Sequence, residues 1–224
     1  MTKPEQRNRA ASQNQMSILD GTRAAAGMAA VAGFVNAVAY LGLHAFVAPM
    51  TGTIVQAGFE LASAEWVGAV LSLLAIVAFT AGVAIARIMR RDGRGPGLCW
   101  LLSAAVLAIA GLRPLEGLAS LAPIAGALGC LNGSQTRFGP VTLNTTFLTG
   151  NLERLGEAIG DHNMQHRPAQ LACIAAIIVS YLAGATAGAA AARGISAPLL
   201  IPAALLAVMG VAAQFRRQVG SAPI

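Results

Sequence analysis

Two short segments of this chain carry uncharged donors and acceptors in matching order within an otherwise apolar sequence. The first reads Thr51-Gly52-Thr53-Ile54-Val55-Gln56-Ala57-Gly58, the second Thr149-Gly150-Asn151-Leu152-Glu153-Arg154-Leu155-Gly156. Each is Thr-Gly, five residues, then Gly. A threonine hydroxyl at a helix start can accept a bond from the first free amides, and a glycine behind it leaves those amides uncovered. Open N–H groups at a helix start carry about half a positive charge and attract anions or carbonyl oxygens. Upstream of each copy, an apolar run holds a single amide side chain, Asn36 or Asn132. In hydrocarbon such a group must be hydrogen-bonded. Gln135 shares the helical face of Asn132. The chemistry on offer is non-covalent recognition of a small polar or anionic solute. The candidate binding set is Asn36, Thr51, Gly52, Thr53, Asn132, Gln135, Thr149, Gly150 and Asn151.

A plainer reading stands beside it. Thr-Gly caps a surface helix, Gly58 and Gly156 let it pack closely, and the two asparagines are interhelical glue worth about 0.6 kcal/mol each. Other signals carry less. His162 and His166 are four apart, but no Cys or paired carboxylate completes a metal site. Cys99, Cys130 and Cys173 fall in apolar runs and read as small buried residues. Glu153, Arg154, Glu157 and Asp161 lack counterparts in the first copy, where Glu153 and Glu157 become Val55 and Phe59. They are expected to face cytoplasmic water. No Gly-x-Ser-x-Gly, His-Glu-x-x-His, Walker loop or dinucleotide fingerprint is present, so neither catalysis nor a cofactor is expected.

The elements that would position the paired segments follow from composition. The chain is 56% hydrophobic and 11% charged, with a mean hydropathy of +0.65. Soluble domains carry about 25% charged residues. A chain this depleted is expected to have the lipid bilayer as its solvent. The net charge of +6 does not point to nucleic acid, because the basic residues lie in short clusters between apolar runs and aromatics are only 5%.

Six runs have spanning length, at about 24–43, 66–86, 97–113, 116–136, 169–192 and 195–214. They must be helices, since Ala- and Leu-rich runs lack strand alternation and no water is there to satisfy an open backbone. Pro198 and Pro202 are expected to kink the last one. The pairs Gly129/Gly133 and Gly184/Gly188 read as close helix contacts. Between the spans, 51–62 and 149–160 are too short to cross and read as re-entrant or interfacial half-helices. With the N-terminus inside, 13 of the 15 basic residues fall on the cytoplasmic side, leaving Arg113 and Arg193 outside.

The repeat then sets the organisation. Asn132 follows Asn36 by 96 residues, Thr149 follows Thr51 by 98, and Tyr181-Leu182-Ala183-Gly184 follows Phe79-Thr80-Ala81-Gly82 by 102. Three spans per repeat is odd, so the second half enters from the opposite face as an inverted repeat. The expected fold is an all-α polytopic membrane protein of six transmembrane helices in two inverted three-helix repeats, each with a short broken helix. Its parts are a disordered cytoplasmic arm (1–23), a first repeat (24–113), a second repeat (114–214) and a cytoplasmic tail (215–224).

The segment Gly33-Phe34-Val35-Asn36-Ala37-Val38-Ala39-Tyr40-Leu41, followed by Met50-Thr51-Gly52-Thr53, resembles the YoaK-like family of bacterial inner-membrane proteins. Gly129-Cys130-Leu131-Asn132 and Leu148-Thr149-Gly150-Asn151-Leu152 agree with it in the second half. The resemblance implies six helices and the plasma membrane, with no substrate. The family often has Asp where this chain has Asn36, and Gln-Asn where it has Leu131-Asn132; the first change removes a titratable group. The expected function is a transporter or permease for a small solute, rocking between the two halves. A scaffold or assembly subunit, or a channel, is the alternative. The small-residue faces leave room for a homo-oligomer.

Overall fold

The computed structural model describes residues 3–114, 117–134, 145–146, 148–160 and 167–220, with side chains from Gly21 onward except 117–118, 167–170 and 217–220. Among the described residues there are eight helices and no strand. They are α1 (Lys3–Leu43), α2 (Met50–Ala62), α3 (Trp66–Arg91), α4 (Pro96–Gly111), α5 (Gly117–Gly133), α6 (Thr149–Gly160), α7 (Arg167–Gly194) and α8 (Leu200–Gly220).

Local sequence explains most boundaries. Residues 5–20 contain no Gly or Pro, and Pro4 sits in a first turn, where its missing N–H costs nothing. Helix α1 accordingly begins at Lys3, within the stretch expected to be a disordered arm. Arg90 and Arg91 in the last turn of α3 suit the negative end of its dipole. Gly93 then takes a left-handed conformation (φ 72°), and the amides of Gly93 and Arg94 close on the carbonyls of Arg90 and Met89. Pro96 opens α4 after an extended Gly95.

The proline kink expected in the last helix is absent. Helix α8 starts at Leu200, which puts Pro198 ahead of it and Pro202 in its first turn. A proline there removes no intrahelical bond. Pro123, by contrast, lies inside α5.

Among the described residues, three helices are long and apolar enough to cross a membrane: Gly21–Leu43, Trp66–Arg91 and Leu171–Gly194. Pro96–Gly111, Ala119–Gly133 and Leu200–Arg216 are apolar but shorter. The outward face of α3 is apolar along its length, with Trp66, Val67, Val70, Leu73, Val77 and Ile85 exposed. Val67 is 77% exposed and Val77 62%. A continuous stripe of that kind marks a surface meant for an apolar partner or lipid.

The core is built from helix pairs. Helix α1 packs along α7, α3 along α5, and α4 along α8; α2 lies on α3 and α6 on α7. Glycines set the closest approaches, and here the expected small-residue contacts are realised. A methyl group on Gly129 would collide with the Phe79 carbonyl, and one on Gly184 with the Ala30 carbonyl. The same holds for Gly33 against Tyr181 and Gly82 against Gly126. These seams let backbones meet where larger side chains would hold them apart.

Candidate functional site

Asn36 is the centre of the first repeated segment. It is buried in α1, and all of its hydrogen-bonding atoms are used. Its Nδ2 donates to the Ala32 carbonyl (3.0 Å) and to the Tyr181 hydroxyl of α7 (2.9 Å). Its Oδ1 accepts from the backbone amides of Val47 and Ala48, each at 3.2 Å. The amide side chain is therefore a bolt between α1, α7 and the loop that precedes α2.

That bolt dictates the path of the chain. Asn36 stands seven residues before Leu43, about 10 Å back along α1. To place Val47 and Ala48 against it, the chain leaves α1, doubles back along the helix, and starts α2 at that level. Thr53, fully buried, ties the turn further by donating to the Phe46 carbonyl (3.1 Å). Helix α2 then returns to the start of α3.

The second half repeats the device with different atoms. The Thr146 hydroxyl donates to Asn132 Oδ1 at 2.8 Å. Thr145 and Thr146 stand 98 residues after Val47 and Ala48, the same offset that relates the Thr-Gly pairs. Both are buried, and Asn151, the counterpart of Thr53, is fully buried as well.

The helix starts differ from expectation. Helix α2 begins at Met50 with Pro49 before it, and no side chain caps it. The Gly52 and Thr53 amides both turn back to the Pro49 carbonyl, at 2.8 and 3.3 Å. Helix α6 begins at Thr149 itself, and the Asn151 and Leu152 amides close on the Leu148 carbonyl, each at 2.9 Å. The threonines are thus first-turn residues rather than caps, and the Gly52 donor is consumed within its own helix. Thr51 and Thr149 are exposed; Gly52 and Gly150 are half-buried. Gly58 and Gly156 have open space where a methyl group would stand, so neither serves close packing.

The structure therefore joins Asn36 to Thr53 through the 46–48 turn, and Asn132 to the turn before Asn151. Gln135, Asp161, His162 and His166 lie outside the described residues. Glu153 and Glu157 are exposed, as expected of water-facing carboxylates. Arg154 is half-buried, and its Nη1 is buried without a hydrogen-bond partner.

Glu60 is not among the residues that sequence motifs and spacing single out. It lies on α2, 8% exposed. Ser72 Oγ donates to its Oε2 at 2.7 Å and Gln56 Nε2 to its Oε1 at 3.0 Å. The available signal was a lone acidic residue in the otherwise uncharged stretch MTGTIVQAGFELA. Beside it lies a cavity of about 270 Å³, lined by His44, Gln56, Glu60 and Ser72 with Leu43 and Leu121. Among the described residues, no group of three His, Cys, Asp or Glu is placed to hold a metal ion.

The family model described as "Protein of unknown function (DUF1275)" matches residues 24–212. No curated protein and no solved structure matches the chain.

Proposed function

The chain belongs to this family of unknown function, in agreement with its YoaK-like motifs, and we propose that it is a multi-pass membrane permease for a small polar solute. The observation that carries the reading is the pair of asparagines at matching places: Asn36 fastens the turn before α2, and Asn132 accepts from Thr146 just ahead of α6. Short helices starting within the bundle, one per repeat, are the usual construction of solute sites in secondary transporters.

Two equivalent halves also account for the packing. Exchanging α1–α4 with α5–α8 turns the α1–α7 pair into α5–α3 and the α2–α3 pair into α6–α7, while α4–α8 maps onto itself. The glycine seams obey the same exchange: Gly33 on Tyr181 becomes Gly129 on Phe79, and Gly82 on Gly126 becomes Gly184 on Ala30. The three shorter apolar helices then serve as spans near the lower length limit of about 17 residues, giving six crossings and an inverted repeat. The distribution of basic residues puts both termini in the cytoplasm of a bacterial inner-membrane protein.

In this reading Asn36, Thr53, Asn132 and Asn151 hold the half-helices. Thr51, Gly52, Thr149 and Gly150 mark their starts, where the two halves rock. Since the Gly52 donor is already used, a polar solute fits better than a free anion. Transport is tested by uptake of a panel of labelled small polar solutes into proteoliposomes. Asn132→Leu is expected to cut the rate tenfold or more in protein that still elutes as a folded species; an unchanged rate sinks the permease.

Topology has its own test. In a Cys173→Ala background, Ser63→Cys is expected to react with a membrane-impermeant maleimide from outside intact cells, and Arg94→Cys only after lysis. Cys99 and Cys130 are buried and give little background. The reverse labelling pattern, or both sites on one side, rules out this arrangement of the first two spans.

A tighter reading of the seams favours the scaffold alternative. Glycine-to-carbonyl contacts along α1–α7 and α3–α5 leave little space between those helices. A scaffold would show no solute-dependent change in melting temperature.

A further inference from the structure

The geometry points to a binding site for a small primary ammonium ion in the cavity beside Glu60. A carboxylate is almost never buried without a partner, because desolvation disfavours its charge. Glu60 is more than nine-tenths buried, yet among the described residues no Lys, Arg or His side chain is bonded to it. Its two partners are a hydroxyl and an amide donor, which hold the carboxylate in place without neutralising it. Ser72 approaches at 2.7 Å, the usual distance for a hydroxyl donor, and fixes the orientation of the carboxyl group.

The surroundings define the missing charge. Gln56 donates both to Glu60 and to the His44 carbonyl (3.2 Å), so acceptor oxygens are held together at the end of α1. His44 reaches this place by adopting a left-handed backbone (φ 53°). Gly68 faces the carboxyl group so closely that a methyl carbon there would stand 2.8 Å from Oε1, so a larger residue would push the Glu60 side chain from its present position. The cavity, about 270 Å³, is too large for a bare metal ion and is walled by Leu43, Leu71 and Leu121. An ammonium head pairs with Glu60 and the oxygens around it, while a short alkyl tail covers the leucines. The counterpart of Glu60 in the second half is Ala158, so the site belongs to one half alone.

The inference names the solute class of the permease reading and depends on that reading for transport only; the site itself is tested by binding. Purified full-length protein is titrated calorimetrically with n-butylammonium chloride. Saturable binding is expected, at least tenfold weaker in Glu60→Gln, which keeps an acceptor for Ser72, and several-fold weaker in Ser72→Ala. The neutral isostere n-butanol is expected not to compete. In the wild type, saturating butylammonium is expected to slow total modification of Glu60 by dicyclohexylcarbodiimide, counted by mass spectrometry as N-acylurea plus butylamide, since free amine traps the activated carboxyl group as an amide. Equal affinity in Glu60→Gln, equal competition by butanol, no saturable binding, or no protection of Glu60 overturns the site. Binding with protection supports it, and if no flux accompanies it the permease reading fails while the site stands.

Discussion

Asn36→Leu is expected to lower stability by about 3–5 kcal/mol. The substitution leaves the Val47 and Ala48 amides and the Tyr181 hydroxyl without their partner. Each buried group stranded in this way costs about 1–3 kcal/mol, and relaxation of the 44–49 turn returns part of the sum. For a chain of this length the melting temperature should fall by about 10 °C. Asn36→Asp is the informative comparison. A carboxylate keeps the two amide bonds, while the Tyr181 hydroxyl must turn from accepting to donating and the bond to the Ala32 carbonyl is lost. Its expected cost is less than half that of leucine, and Tyr181→Phe is expected to cost about 1 kcal/mol. Thermal unfolding in detergent, followed by intrinsic fluorescence or differential scanning, reads all three. Equal losses for Leu and Asp would show that keeping an acceptor oxygen before the turn does not matter, and the bolt would have no energetic meaning.

Gly129→Val should abolish the native bundle, and Gly184→Val should do the same. The clash is with a backbone carbonyl and arises at the β-carbon itself, so no rotamer avoids it. Overpacked cores usually lose about 1–3 kcal/mol; here whole helices must separate, and the loss should be larger. Gly156→Ala is the control. Nothing lies within 4 Å of the added carbon, and the position is helical. Replacing glycine in a helix is expected to stabilise by about 0.5–1 kcal/mol. Size-exclusion profiles and melting temperatures of the three variants decide the matter. Native behaviour of Gly129→Val would mean that α3 and α5 do not meet at this seam.

The Thr-Gly pairs and asparagines at near-constant offsets were visible in the sequence, and so was the need of the asparagines for partners. What those partners are was not. Asn36 and Tyr181 are 145 residues apart, and nothing in either neighbourhood announces the other. Thr51 reads locally as a helix cap, but Pro49 starts the helix earlier and its carbonyl takes the next amides. Glu60 shows the opposite failure. Its neighbours in sequence suggest one charge on a half-helix surface, whereas the α2–α3 hairpin folds Ser72 against it and removes it from water.

Sequence alone determined the all-α class and the apolar character of the chain, because hydropathy and helix formation depend on residues close together along the backbone. It also determined the small-residue seams at Gly129 and Gly184. Only the tertiary structure decided that Asn36 fastens a returning turn, that the Gly52 amide is already occupied, and that Glu60 lies buried beside a cavity. Each of these depends on which helix lies against which, and a hydrogen bond or a void between distant segments exists only once that packing has formed.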